Sequence, residues 1–247
     1  MDIQRELLLA KESKSQKYQR LFVGQLGYRA LIKYELITMF TSWVPGALGL
    51  LLRSFFYPKI LKSCGKNVTF GANVTLRHPN KISIANNVVV DENCVLDAKG
   101  DNNKGIFIGN NVFLGRNSII YCQNGDIYIG DNANIGTNCQ IASLNSVIIG
   151  KNVLIGAYTY LIGGGHNYEN VDTAIINQGR TAKGITVKDN VWIGASVKVL
   201  DDIEIDDSAI VGAGAVVVND VPEYAIVGGV PAKYIRDRRR NEVPHSS

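Results

Sequence analysis

The chain has 247 residues and a formal net charge of +4, and 46% of its residues are hydrophobic, which suits one soluble domain with or without an appendage. The charge is uneven: residues 1–66 hold eleven Lys or Arg against four Asp or Glu, whereas residues 67–247 come to about −3. A basic head on a mildly acidic body indicates contact with an anionic surface and argues against a nucleic-acid partner.

The cysteines and the amino terminus bear on the cellular location. The first twenty residues are charged throughout, which is not the pattern of a secretory signal. No two cysteines form a C-x-x-C pair, so we expect free, buried thiols and a reducing compartment, the cytoplasm. The four cysteines are Cys64, Cys94, Cys122 and Cys139.

Residues 1–62 are predicted to be helical. Residues 21–40 place apolar side chains at helical spacing, Pro45 should end that run, and a second apolar helix is expected over residues 48–57. Residues 36–52 carry no charge, but they are short and interrupted for a membrane span. Two compatible interpretations stay open: the helices cap the end of the following domain, or they lie in a membrane interface with their basic residues at the headgroups.

Aliphatic residues recur every six positions over most of residues 63–220, often followed by glycine. This period predicts an all-β solenoid whose coils of about 18 residues each hold three short strands and three corners, with the aliphatic residue inside. Polar stretches at 97–105 and 122–126 are expected to be outward loops. The aliphatic positions are Ile84, Val90, Leu96, Ile108, Leu114, Ile120, Ile129, Ile135, Ile141, Ile149, Ile155, Leu161, Val187, Ile193, Val199, Ile205, Val211 and Val217.

The repeat is interrupted once. From Leu161 to Val187 the spacing is 26 residues instead of six, and this gap holds His166. Residues 162–185 are therefore predicted to form a protruding loop. The last segment, 221–247, is expected to leave the repeat as a carboxy-terminal extension.

Three motifs near the end of the repeat resemble those of a known family. They are Asn190-Val191-Trp192-Ile193-Gly194, Ile210-Val211-Gly212-Ala213-Gly214 and Gly229-Val230-Pro231-Ala232-Lys233. Together with the repeat they make residues 67–238 similar to the hexapeptide-repeat acyltransferases, which include galactoside, maltose, nodulation-factor and serine O-acetyltransferases. The resemblance implies a left-handed parallel β-helix, a homotrimer, and acetyl-CoA bound in clefts between neighbouring subunits. The amino-terminal segment, with Pro45-Gly46, Gly65 and Arg77-His78-Pro79, resembles a subgroup often attached to surface-polysaccharide biosynthesis.

O-acetyl transfer needs a base that takes the hydroxyl proton as the oxygen attacks the thioester, and histidine is the usual choice. His166 follows three glycines and matches the catalytic histidine of the family, which stands just before an extended loop. Glu169 and Asp172 are the nearest acidic candidates to orient its imidazole, although a backbone carbonyl would serve as well. The oxyanion donor is not identified by the sequence.

The evidence for a functional role is weaker for the other two histidines. His78 is expected some 20 Å or more from His166 along the solenoid, at about 4.8 Å per coil. It is either a corner or helix-packing residue or, with Arg77, a contact to the acceptor or a lipid headgroup. His245 lies in the tail and is expected to be a bystander. A zinc hydrase with this fold would need three histidine ligands that meet at a subunit interface. His78 and His166 are too far apart for such a site and no third histidine fits, so we expect no metal.

The resemblance also implies the acetyl-CoA contacts. Ala195 stands where the family often has Ser, and Ala213 matches a small residue that leaves room for the pantetheine arm. Lys233 stands where Arg is common, which keeps a positive charge for the CoA phosphates but loses the bidentate fork. Val218 and Asn219 replace a Thr-Lys pair. The full set is Trp192, Ala195, Ala213, Val218, Asn219, Lys233 and Arg236.

The sequence gives fewer indications of the residues that bind the acceptor. The loop is polar, and Tyr168 and Arg180 within it suit a sugar, with the tyrosine available for stacking. The galactoside enzymes contact their sugar near the position that holds Gly136 here, and Asn138 close by is a further candidate.

The leading hypothesis is an acetyl-CoA-dependent O-acetyltransferase that modifies a sugar hydroxyl in a surface polysaccharide or its lipid-linked precursor. The protein would be cytoplasmic and peripheral at the inner face of the membrane through residues 1–62. Two alternatives stay open: an O-acetyltransferase of a small soluble acceptor such as a free sugar, serine or a xenobiotic, and a non-catalytic β-helix scaffold.

Overall fold

A computed structural model describes residues 12–240 of the chain. The expectations for His245 and for the rest of the tail beyond residue 240 lie outside the described residues. The described segment begins with short helices that end at Lys59, and the remainder is a solenoid of short strands. The helices are α1 (Lys14–Tyr18), a π-helical turn (Gln19–Val23), α2 (Tyr28–Thr41), α3 (Gly46–Phe56) and a 3₁₀ turn (Tyr57–Lys59).

The two predicted apolar helices are confirmed, with one correction. Pro45 ends the first run, and α3 begins directly after it. The prediction of a continuous helix over 21–40 is wrong at its start, because Gly24 and Gly27 take φ values of 74° and 123°. Positive φ is open to glycine and incompatible with a right-handed helix, so α2 begins only after the second glycine.

From residue 63 onward the chain winds through three parallel sheets, with one strand in each sheet per coil. The first sheet holds β1 (Ser63–Cys64), β4 (Ile82–Ile84), β7 (Ile106–Ile108), β10 (Asp126–Ile129), β13 (Ser146–Ile149), β18 (Ile185–Val187) and β21 (Ile203–Ile205). The second holds β2 (Thr69–Phe70), β5 (Val89–Val90), β8 (Phe113–Leu114), β11 (Asn134–Ile135), β14 (Leu154–Ile155), β19 (Trp192–Ile193), β22 (Ile210–Val211), β24 (Ala225–Gly228) and β25 (Lys233–Asp237). The third holds β3 (Thr75–Arg77), β6 (Val95–Asp97), β9 (Ile119–Cys122), β12 (Gln140–Ser143), β15 (Tyr160–Gly163), β20 (Lys198–Val199) and β23 (Val216–Val217).

The six-residue repeat fills the interior of this parallel β-solenoid. All eighteen aliphatic residues of the repeat are at most 3% exposed, as predicted. Equivalent residues of successive coils stack in register, for example Ile129 on Ile149. Parallel stacking of this kind buries each aliphatic column against the next coil. The fold is therefore the predicted all-β solenoid, consistent with the left hand that the family resemblance implies.

The thiols are free, as predicted, and burial raises the pKa of Cys94 to about 11. Burial also raises the pKa of Cys139. Cys64 in the first strand departs from the expectation of full burial, because it is only half-buried.

Each coil has three corners, and asparagine columns stabilise them. We call the turn between the first and second sheets the first corner, the next the second corner, and the return to the following coil the third corner. At the first corner six asparagines with φ between 56° and 60° stack, and each side-chain amide donates to the carbonyl oxygen of the next over 2.9–3.3 Å. They are Asn67, Asn87, Asn111, Asn132, Asn152 and Asn190.

The helices cap the first coil, which confirms one of the two interpretations of the amino-terminal segment. The first coil has no preceding coil to donate hydrogen bonds to its backbone carbonyls, so side chains take that place. Three buried donors reach backbone carbonyls of that coil: Tyr34 to Leu76, Arg53 to Phe70 and Tyr57 to Val74, over 2.9, 2.9 and 3.0 Å. Within the described residues, no helix is long and apolar enough to cross a membrane.

The last coil is closed by the chain's own tail. The strand β24 continues the second sheet in parallel beside β22, and β25 then folds back antiparallel along it. The chain thus stays on the solenoid for one strand beyond residue 221. The two smaller insertions occupy residues 98–105 and 123–125, because the flanking strands extend to Asp97, Cys122 and Asp126.

Candidate active site

The large insertion leaves the third corner as an ordered hairpin. Strand β15 ends at Gly163, and two short antiparallel strands follow at the base of the loop, β16 (Gly165–His166) and β17 (Arg180–Thr181). In this pair His166 lies directly opposite Arg180. A single 3₁₀ turn, Ile175–Asn177, shapes the tip. The predicted loop is present, with a defined base that the sequence did not indicate.

At two of the three positions before His166, steric contacts exclude any residue other than glycine. A Cβ on Gly164, which takes φ 144°, would lie 2.7 Å from Cβ of Leu144, and a Cβ on Gly163 would lie 2.9 Å from Val147. Only glycine lets the backbone leave the solenoid this close to the coil below. Gly165 has no neighbouring atom within 4 Å of a Cβ position. The exit of the loop is therefore set by the first two glycines.

The imidazole of His166 is exposed beyond this exit. Glu169 and Asp172, the predicted orienting residues, contact their own loop: a Glu169 oxygen accepts from the backbone N–H of Tyr168 over 3.1 Å, and the backbone N–H of Asp172 donates to Asn170. Among residues 12–240, neither carboxylate is hydrogen-bonded to His166. An orienting role for either residue stays a prediction.

The second strand of the hairpin is tied back to the solenoid. The Arg180 guanidinium donates to the side-chain oxygen of Gln123, 2.8 Å away, which lies two coils earlier at the same third corner. Inside the hairpin, the Thr181 hydroxyl donates to Asn167 over 2.6 Å. Asn145 donates to the backbone carbonyls that follow. These bonds hold the strand that faces His166.

Several residues near this site were missed by the sequence reasoning. Tyr121 and Tyr160 extend from the third sheet and their hydroxyl oxygens are 3.4 Å apart. Burial, together with this hydrogen bond, raises the pKa of Tyr121 well above its usual range. At the second corner, on the opposite edge from His166, Tyr158 adopts φ 61°, which is uncommon for an aromatic residue, and is 63% exposed. The signal available was the alternation of the strands, because Tyr121 and Tyr160 flank the inward Ile120 and Leu161.

The predicted acetyl-CoA residues lie in three places: at and beside the second corner, at the third corner, and on the last strand. Ala195 and Ala213 stack at the second corner, one coil apart: a Cβ on Gly194 would lie 2.6 Å from the backbone nitrogen of Ala213. Asn138 lies at the same corner two coils earlier, in register with Ser196 and so one position beyond the alanine column, and its side-chain oxygen accepts from Asn117 over 3.2 Å. Trp192, 50% exposed, stands on the outer face of the second sheet beside this column.

The remaining candidates lie at the end of the solenoid. Val218 and Asn219 are exposed and follow β23, so they are at the third corner, the same side as His166. Lys233 is exposed on β25. Arg236, on the same strand, donates to the backbone carbonyl of Arg240 over 2.9 Å.

Within one chain the candidate residues therefore occupy opposite edges. His166 and Arg180 are at the third corner, whereas Ala195, Ala213 and Asn138 are at the second. These corners are separated by the strands of the third sheet, about 13 Å for four residues at 3.3 Å each. The described chain alone does not place the predicted base beside the predicted pantetheine site.

His78 is far from this region and has a structural role. Its Nε2 is 2.8 Å from the backbone oxygen of Arg20 and its Nδ1 is 3.2 Å from Asp97, so both ring nitrogens are used between the helical segment and the solenoid. The packing interpretation is confirmed, and the alternative of an acceptor or lipid contact by His78 is wrong. In the part of the chain that the structure describes, no cluster of three or more His, Cys, Asp or Glu could hold a metal ion.

Family models match three stretches of this solenoid. Residues 184–219 match the bacterial transferase hexapeptide (six repeats), and residues 63–98 and 126–162 match the hexapeptide repeat of succinyl-transferase. The matched stretches coincide with the stacked coils. Over these stretches the chain is similar to the hexapeptide-repeat transferases, the family predicted from its motifs.

Individual relatives are similar over part of their length. Galactoside O-acetyltransferase of Escherichia coli is 32% identical over 120 residues, 48% of this chain and 58% of that protein. WbbJ of Escherichia coli, provisionally described as a lipopolysaccharide biosynthesis O-acetyl transferase, is 32% identical over 119 residues, 45% of this chain and 61% of that protein. The chain thus spans about three fifths of these curated relatives.

A solved structure shows the same fold. The polySia specific acetyltransferase NeuO superposes with a TM-score of 0.54 at 20% identity, covering 73% of this chain and 89% of that chain. At this identity the likeness shows the shared solenoid only.

Proposed function

We propose that the chain is an acetyl-CoA-dependent O-acetyltransferase that modifies a sugar hydroxyl, with His166 as the general base. The observation that carries the proposal is the loop exit that requires glycine at Gly163 and Gly164, which presents an exposed histidine on a hairpin tied to the solenoid. The imidazole takes the hydroxyl proton while the oxygen attacks the thioester carbonyl; the CoA sulfur then leaves and takes a proton from the imidazolium.

The acetyl-CoA site proposed here runs along the second corner. Ala195 and Ala213 form a narrow, exposed edge on which the pantetheine arm lies, flanked by Trp192. At the end of the solenoid, Lys233 and Arg236 meet the CoA phosphates. Val218 and Asn219 line the cleft from the third corner, without the basic contact that the family has there.

The two-edged arrangement supports a homotrimer. His166 and the alanine edge are on different corners of one chain, so a second subunit would bring its third corner against the second corner of the first. Cyclic assembly then repeats the same composite site three times. Acetyl-CoA lies in the cleft between subunits in this proposal, as the family resemblance implies.

The acceptor is proposed to be a sugar in a surface polysaccharide or its lipid-linked precursor, modified at the cytoplasmic face of the membrane. The support is the similarity of the chain to galactoside O-acetyltransferase and to the lipopolysaccharide relative WbbJ. Tyr168 is 70% exposed in the loop and is available for stacking on a sugar ring. Arg180 borders the histidine, and Asn138 faces it from the alanine edge of the neighbouring subunit.

The test is release of CoA from acetyl-CoA by the wild type and by His166→Ala. The acceptors are free sugars, serine, oligosaccharides and polyprenyl-linked sugars. We expect acceptor-dependent turnover that falls about 100-fold or more in the variant, the scale of a general base. Val171→Ala, at a 92% exposed position of the same loop, is the control and should keep wild-type turnover.

Each component of the proposal has its own contrary result. Equal turnover by His166→Ala and the wild type would overturn the role of His166. Failure of the wild type to bind acetyl-CoA would overturn the enzyme class in favour of a scaffold. Turnover with serine or free sugars, but with no glycan, would move the assignment to a soluble acceptor.

A further inference from the structure

The amino-terminal cap presents a large apolar surface to solvent. Eleven large apolar side chains between residues 26 and 55 are 40–75% exposed. A soluble protein rarely exposes so many apolar side chains side by side without a binding role. We call this surface the cap face; it consists of Leu26, Tyr28, Ile32, Leu36, Met39, Phe40, Trp43, Leu48, Leu50, Leu51 and Phe55.

The cap face points away from the solenoid. The opposite sides of α2 and α3 are buried: Tyr34, Ile37 and Arg53 lie against the first coil. Because these residues close the end of the solenoid, the exposed sides of the same helices form its outermost layer along the axis. The face is therefore an end surface of the molecule, clear of both corners that carry the candidate active-site residues.

The charge around the cap face is one-sided. Arg29, Lys33 and Lys59 are exposed among the apolar residues, and the ammonium of Lys59 lies 3.9 Å from the ring centroid of Phe55. Between residues 26 and 62 the sequence has one acidic residue, Glu35, and it accepts a hydrogen bond from Tyr18. A partner must therefore be apolar and anionic at once.

We propose that the cap face docks on the surface of an anionic lipid bilayer. The apolar side chains enter the region below the headgroups, and the three basic residues bind the lipid phosphates. Trp43 and Tyr28 belong to the residue types that favour the membrane–water boundary. A second copy of the chain fits less well, because pairing two cap faces brings Arg29, Lys33 and Lys59 against like charges.

This docking also limits the acceptor, a step that rests on the proposed function. His166 follows β15, four coils beyond β3, which is about 19 Å at 4.8 Å per coil. The helical layer adds about 10 Å. A sugar next to the lipid would be out of reach of His166, so the substrate would be a distal sugar of a lipid-linked oligosaccharide.

The experiment is sedimentation of the full chain with phosphatidylcholine vesicles, with and without phosphatidylglycerol. We expect binding to the anionic vesicles that weakens as salt screens the basic residues. Leu51→Glu, at a position 66% exposed on the cap face, should lower the partition at least tenfold, because one buried leucine contributes that much. Ile148→Glu, at a 42% exposed position on the first sheet, is the matched control and should bind like the wild type.

The charges are tested separately. Arg29→Glu and Lys59→Glu should each weaken binding to anionic vesicles by about fivefold or more, the effect of one cation near the surface. Lys104→Glu, in an outward loop of the solenoid, is the control and should not weaken binding to anionic vesicles.

Two results would overturn the inference: no binding of the wild type to either vesicle, or equal binding by Leu51→Glu. If Leu51→Glu instead lowers the oligomeric state in sedimentation velocity and wild-type vesicle binding is absent, a second copy covers the face. Turnover with a soluble acceptor is measured on the same samples. It should be unchanged in Leu51→Glu, so a failure of docking is distinguishable from a failure of the proposed enzyme activity.

Discussion

At the residue scale, two adjacent glycines at the loop exit have different roles. Gly164 takes φ 144° and faces Leu144, whereas Gly165 has open space around its Cβ position. The sequence shows both as members of one glycine run before His166. Only the packing of the coil below distinguishes the residue that shapes the backbone from the one that does not.

Gly164→Ala should therefore impair catalysis where Gly165→Ala does not. The alanine would have to hold a positive φ and to displace Leu144, which costs about 1–3 kcal/mol or shifts the hairpin that carries His166. We expect kcat to fall at least tenfold, since a displacement of about 1 Å at a reacting group has effects of that size or larger. Turnover and thermal unfolding of both variants check this; equal kcat in the two would contradict the steric argument.

At the element scale, the repeat was predictable and its outer surface was not. The eighteen aliphatic positions follow from the period alone, because every coil buries the same column. Tyr121, Tyr160 and Gln123 could not be found in this way, since outward positions vary freely from coil to coil. The hairpin base was missed for a similar reason: Gly165–His166 and Arg180–Thr181 are too short and polar to show a strand pattern.

The asparagine column of the first corner gives an element-scale prediction. Asn132 accepts from Asn111 and donates to Asn152, over 3.0 and 2.9 Å, at φ 60°. Asn132→Gly loses these hydrogen bonds, about 1 kcal/mol. Asn132→Ala also has to adopt the left-handed conformation, which adds about 1–2 kcal/mol. Urea unfolding should show that the wild type is the most stable, the glycine variant less stable and the alanine variant the least stable. An alanine variant as stable as the glycine variant would contradict this prediction.

The helical cap gives a second element-scale prediction, for alkaline pH. Burial raises the pKa of Tyr57 to about 12 from its ordinary value of 10.0, and its hydroxyl donates to Val74. Because the folded pKa is the higher one, the stabilisation is complete below pH 10 and is lost as the pH rises through 12. Tyr34 follows the same direction, with a pKa of about 12.

Tyr57→Phe isolates this effect. At pH 8 the variant should unfold with a free energy about 1 kcal/mol lower, because the carbonyl of Val74 loses its donor. Near pH 11 the wild type has lost about 1.4 kcal/mol to ionisation, so the two proteins should be equally stable. Thermal unfolding at both pH values checks this. A difference that stays constant with pH would show that the phenol titrates alike in both states.

At the scale of the whole molecule, one chain holds the two halves of the proposed site on different edges. The motifs predicted both halves, but the six-residue period contains no information on which corner faces which. The strands of the third sheet separate His166 from Ala213, so one chain cannot complete the site by a small shift. A composite site is the arrangement that brings these residues together while keeping the solenoid rigid.

Mixed assemblies distinguish a composite site from a site within one chain. His166→Ala and Ala213→Trp should each be inactive alone, the first without its base and the second with its pantetheine edge blocked. When the two are denatured, mixed equally and refolded together, a composite site needs the histidine of one subunit and the alanine edge of another. About a quarter of the sites in a random cyclic assembly meet this condition, so about a quarter of wild-type turnover should return. Mixing without unfolding is the control and should return none. If refolded mixtures stay inactive while refolded wild type recovers, His166 and Ala213 do not act across a subunit interface.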